Sequence, residues 1–130
     1  MRRKLTLICA IGGLLLAAPA FQVYPGSRLD GSASREASSG KTESEVYTTD
    51  DPMDKVYAFY KPLYKEFTMK RAVPKLASGQ EVKWAFFILD GAAGLPTSHY
   101  WMKIQRPYVR DAEAKDVRDV TSIQIVRSKP

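Results

Sequence analysis

Apolar and polar positions alternate in several different ways along this chain, and each pattern predicts an element. Arg2, Arg3 and Lys4 precede an apolar run from Leu5 to Ala18, closed by Ala18-Pro19-Ala20. A basic start, an apolar stretch and small residues at Ala18 and Ala20 predict a secretory leader over residues 1–20, cleaved before Phe21. Gly12, Gly13 and Pro19 weaken the competing reading of an uncleaved spanning helix. From Pro25 to Glu45 apolar residues almost vanish among Gly, Ser, Lys, Arg and Glu. Residues 21–45 therefore read as a linker or lightly ordered arm, with a short helix around Asp30 to Ser38 as an option.

Folding proper is expected over residues 46–128. Val46-Tyr47-Thr48-Thr49 is a short β-prone run, and Asp50-Asp51-Pro52 then reads as a helix start, with an aspartate accepting from orphan backbone N–H groups and proline in the first turn. Met53, Val56, Tyr57, Tyr60, Leu63, Tyr64 and Phe67 recur in steps of three and four, the signature of one amphipathic helix. Pro62 must kink or break it, because proline lacks the N–H and clashes with the preceding turn. Val82 to Leu89 is apolar on both alternating faces and reads as a central strand; His99 to Gln105 and Asp119 to Arg127 complete the set. The expected fold class is α+β: one helix on a mainly antiparallel four-stranded sheet, in the order strand, helix, strand, strand, strand. With the helix on one sheet face, Phe87, Leu89, Tyr100 and Trp101 would need a cover from the arm, a ligand or a second copy, and a homodimer is the simplest by symmetry.

Charge changes the picture once the leader is set aside. The full chain carries 20 basic and 14 acidic residues, net +6, but removing Arg2, Arg3 and Lys4 leaves 17 basic residues and a net charge of +3. That mild, interspersed balance argues against a nucleic-acid partner. The local basic set Lys61, Lys65, Lys70, Arg71 and Lys75 reads as a solvated face. The single cysteine, Cys9, lies inside the leader, mid-run and after Ile8, so it fits neither a lipid anchor nor a disulfide.

Candidate chemistry is sparse. Asp50, Asp51 and Asp54 are explained by the helix start. Ser98 adjoins the only histidine, His99, but successive strand residues point to opposite faces, so they do not form a nucleophile and base. Gly91 to Gly94 lacks the lysine of a phosphate loop and reads as a turn. No catalytic set, cofactor or metal site is expected. If the chain holds a ligand face, Trp101, Lys103 and Arg106 are its candidates, from an aromatic plane flanked by cations.

The motifs Tyr24-Pro25-Gly26, Tyr47-Thr48-Thr49-Asp50-Asp51, Val56-Tyr57-Ala58-Phe59-Tyr60-Lys61 and Asp119-Val120-Thr121-Ser122-Ile123 resemble a group of small secreted bacterial domains of uncharacterised function. The resemblance implies export and an α+β fold, and brings no site residues. The strand order also resembles one module of the glyoxalase and bleomycin-resistance superfamily, whose members often bind a metal through His and Glu. Here His99 is alone, and Glu45 and Glu81 are the nearest acids to the strands, too few donors for such a site. The expectation is an exported, periplasmic or extracellular, noncatalytic module without a stable membrane anchor after cleavage. It would bind an envelope protein or itself, or alternatively a small molecule or glycan.

Overall fold

The computed structural model describes residues 21–69, 74–110 and 115–128; the leader-like residues 1–20, with Ala18 and Ala20, lie outside them. The fold is α+β, but it holds two helices and a larger sheet than the periodicity implied. Strands β1 (Arg28–Leu29), β2 (Thr42–Thr49), β3 (Lys65–Phe67), β4 (Lys83–Ile88), β5 (Tyr100–Arg106) and β8 (Thr121–Ser128) form a six-stranded antiparallel sheet in the order β1-β2-β8-β5-β4-β3. The expected four strands are all present as β2, β4, β5 and β8. The additions, β1 and β3, are two and three residues long, too short to carry an alternating pattern. A separate two-stranded ribbon joins β6 (Tyr108–Val109) to β7 (Val117–Arg118).

The predicted helix is α2, Met53–Tyr60, and it ends sooner than the apolar spacing suggested. Lys61 keeps helical dihedrals, the amides of Leu63 and Tyr64 both donate to the Tyr60 carbonyl, and the chain then turns at Pro62 into β3. Leu63 is left 45% exposed, whereas Met53, Val56 and Tyr60 are buried. The start also differs from expectation. Pro52 is the N-cap residue, with no side-chain cap bond. Asp51 instead accepts from the Tyr24 hydroxyl at 2.6 Å and sits 3.7 Å from Lys55 Nζ.

α2 packs on the sheet face formed by Ala85, Phe87, Met102, Ile104, Ile123 and Ile125, which with Tyr24, Met53, Val56 and Tyr60 make the core. Phe87, Leu89 and Tyr100, expected to need a separate cover, therefore belong to the core on the α2 side, with Phe21 and the α2 residues Tyr57 and Phe59 packed at its margin. β4 is not central either: β8 and β5 occupy the middle, and β4 lies second from the β3 edge. Its doubly apolar pattern reports cover on both faces, not lateral position, because side chains alternate perpendicular to the pairing direction.

The segment read as an arm belongs to the fold. Phe21 stacks on Tyr60 and Tyr64, with centroids 5.6 and 5.8 Å apart. The Tyr60 hydroxyl donates to the Gln22 carbonyl at 2.8 Å. Helix α1 occupies Gly31–Ala37 and is capped by Asp30, whose carboxylate accepts from the Ala33 amide at 3.0 Å. It completes the sheet edge beside β2. Past the point where β1 pairs with Tyr47 and Thr48, the hydroxyls of Ser34 and Ser38 accept from the outward amides of Val46 and Ser44 at 2.9 and 3.0 Å. Two serine side chains thus do for β2 what a longer strand would do, satisfying amides that an uncovered edge would offer to another chain.

Candidate functional site

The sheet face opposite α2 carries apolar residues at the β4 end and polar ones nearer β2. Strand alternation places Lys103 and Gln105 of β5 beside Ser122 and Gln124 of β8, and the register pairs Lys103 with Gln124 and Gln105 with Ser122. Val46 of β2 pairs with Gln124 from the other side. Three adjacent strands therefore form a floor with a polar island. α1 supplies one wall through Ala33, Glu36 and Ala37, and the β6 strand with its continuation supplies another through Tyr108, Val109 and Arg110. Together they border a half-open cavity of about 150 Å³.

The walls are held by charge. Arg110 Nη2 donates to Glu36 Oε1 at 2.6 Å and to Ser32 Oγ at 3.2 Å, tying the ribbon to α1. Arg118 of β7 adds a longer contact to Asp30, 3.9 Å. In the floor, Gln105 is buried and its Nε2 donates to the Pro107 carbonyl at 3.2 Å, while the Ser122 hydroxyl donates to the Gln105 carbonyl at 3.3 Å. Lys103 differs. It is half-buried, its ammonium pKa is pushed below the ordinary lysine value by burial, and no hydrogen-bond or ion-pair partner faces it among the described residues. The side chains of Gln124 and Tyr108 likewise have no hydrogen-bond partner among those residues. The Tyr108 hydroxyl is pushed up, by burial first, with Asp30 and Glu36 adding and Arg110 and Arg118 opposing.

The three residues expected to share a ligand face separate. Trp101 lies on the same face as Lys103 but beside Phe86, centroids 6.2 Å apart, and does not line the cavity. Arg106 emerges on the α2 face. Its guanidinium donates to the carbonyls of Asp51 and Asp119 at 3.1 and 2.9 Å and to Thr121 Oγ1 at 3.1 Å, pinning the α2 entry to β8. It borders a different depression, about 260 Å³, with Asp54, Glu81, Lys83 and Asp119. Gln105, Ser122, Gln124, Glu36 and Arg110 were missed. The available signal was polar residues at period two on both β5 and β8; their assembly needed the register.

At the turn before β5, Asp90 accepts from the Ser98 hydroxyl and the His99 amide, both at 2.8 Å. Burial raises the Asp90 pKa, but these bonds and one from the Ala92 amide outweigh it and hold the carboxyl below its usual range. His99 contributes its backbone amide to this cluster. Of the expected basic face, Lys70 and Arg71 lie outside the described residues, and Lys61 pairs with Glu66 at 3.3 Å. Among the described residues no group of three or more His, Cys, Asp or Glu could hold a metal ion, and no helix is long and apolar enough to cross a membrane.

No protein-family model matches the chain, and no curated protein or solved structure matches it. The site therefore stands on its geometry alone.

Proposed function

We propose that this chain is an exported, noncatalytic module that binds a small polar molecule in the cavity between α1 and the β2-β8-β5 face. Export is supported by the leader-like pattern of residues 1–20. Binding is supported by one observation above the others: Lys103, a half-buried cation without a protein partner among the described residues, stands in the floor of a half-open polar pocket. Taking a charge out of water without a counter-charge costs stability, and a ligand that supplies the missing partner recovers it. A sheet face devoted only to packing would carry an apolar residue there, as Val46 and Val126 do on the same face.

Self-association through a bare sheet face has less support. α2 covers one face, and on the other Phe86, Ile88 and Val126 are themselves buried. The exposed large apolar residues among the described ones, Val23, Leu29, Leu63 and Val117, lie on four separate segments.

The test is a panel of small polar molecules, charged and neutral, titrated into the purified protein and followed by backbone amide NMR. Saturable shifts should concentrate at Ala33, Lys103, Gln105 and Gln124. Shifts spread over the surface, or absent from these four for every compound, would overturn the reading. Light scattering on the same sample should return the mass of a single chain.

A further inference from the structure

The cavity has a charge count and a shape that restrict its occupant, and the restriction rests on the binding reading above. Its charged lining at neutral pH is Lys103, Arg110 and Glu36. Arg110 and Glu36 satisfy one another at 2.6 Å, which leaves a single uncompensated positive charge, on Lys103. A neutral ligand would leave that charge unpaired, and a dianion would carry one negative charge more than the pocket's net positive charge balances. A monoanion balances it.

The donors point to the same class. The Lys103 ammonium offers three N–H groups, the Gln124 amide two and the Tyr108 hydroxyl one, and none of these side chains has a hydrogen-bond partner among the described residues. A carboxylate offers two oxygens and about four acceptor positions, and bonds to an ionised acceptor are the stronger kind. The rest of the lining includes an aliphatic set: Ala33, Ala37, Val46 and Val109. The occupant thus has one anionic end and a short apolar body. A volume of about 150 Å³ matches a cavity known to hold benzene, so the body is small, and a folded partner's chain end would have to thread between α1 and the β6 strand.

We infer that the ligand of this cavity is a free small monocarboxylate, its carboxylate on Lys103, Gln124 and Tyr108 and its short apolar body against Ala33, Ala37 and Val46.

The experiment uses butyrate, its neutral isostere butyramide, the dianion succinate, inorganic phosphate and an N-acetylated dipeptide with a free C-terminal carboxylate, each titrated into the purified protein by NMR and calorimetry. Butyrate should bind saturably with shifts at Lys103 and Gln124. Lys103→Gln should weaken it about 10- to 100-fold, the size of one charge-assisted hydrogen bond. Lys103→Met should lose butyrate binding while raising the urea midpoint of the free protein, because it removes a desolvated cation; this keeps a loss of binding distinct from a loss of fold. Gln124→Leu is the second binding variant, with a smaller loss. Equal affinity for butyramide, preference for succinate or phosphate, or tighter capture of the dipeptide would each overturn the free monocarboxylate while leaving a polar binding cavity. If the wider panel also fails to shift these residues, the binding reading itself falls.

Discussion

α2 and α1 flank the same sheet, yet they are held by opposite means. α2 buries Val56 and Tyr60 completely and packs them against Phe87, Met102 and Ile104, so its position follows from apolar area removed from water. α1 buries one residue of any consequence, Ala33, and is fixed by polar side chains: the hydroxyls of Ser34 and Ser38 on the Val46 and Ser44 amides, and the Asp30 carboxylate cap. Hydrophobic packing is non-directional and leaves little empty space. Directional bonds at an edge let α1 stand off the floor, and the cavity is the space between.

Mutations on the two sides should separate these mechanisms. The largest effect is expected on the packed side: Phe87→Ala removes a fully buried ring and should cost about 3–5 kcal/mol in urea unfolding. A loss under about 1 kcal/mol would mean that α2 is not the main source of cohesion. On the pinned side, Ser34→Ala leaves the Val46 amide without its acceptor and should cost about 1–3 kcal/mol. Hydrogen exchange should quicken locally at Val46 and in α1, while the β4 and β5 amides keep their protection. Uniform acceleration would instead tie the two sides into one cooperative unit.

Tyr24 tests the link between the N-terminal segment and the α2 entry. Its hydroxyl is pushed up to about 12, by burial first and then by the bond to Asp51 and that carboxylate's charge. The folded state thus holds the proton more tightly than the unfolded chain does. The corresponding stability is fully present below about pH 10 and is lost as pH rises through about 12. Tyr24→Phe should cost about 1–2 kcal/mol at neutral pH and flatten the alkaline limb of the stability curve; an unchanged limb would remove Tyr24 from the linkage. The smallest effect is expected at Leu63, exposed beyond the end of α2, where Leu63→Ala should change stability by no more than about 0.5 kcal/mol. A larger loss would restore Leu63 to the apolar face that its spacing suggested.

The difference between the sides also explains what was legible. α2 and the four longer strands announced themselves because burial repeats at the period of the element, as in Val56 and Tyr60 or Ile123 and Ile125. α1 could not do so: Gly31 to Ala37 has no apolar stripe, and its contribution rests on serines whose partners lie 6 and 12 residues away on β2. Among the candidate ligand residues, Lys103 could be nominated from an exposed-looking cation in an apolar strand. Arg106 could have been set apart from it, because a three-residue separation on one strand puts the two on opposite faces; what its guanidinium holds, the carbonyls of Asp51 and Asp119, only the structure shows.

The sequence by itself determined the α+β class, the presence of the four longer strands though not the first half of β2, a helix beginning beside Pro52 and its interruption near Pro62, since each depends on local periodicity or on the covalent limits of proline. The tertiary structure alone decided that β8 and β5 lie at the centre, that serine hydroxyls complete the β2 edge, and that Lys103, Gln124 and Tyr108 meet around one cavity. Those outcomes depend on which strands pair and in what register. Pairing is a contest among distant segments whose energies no single stretch of chain contains.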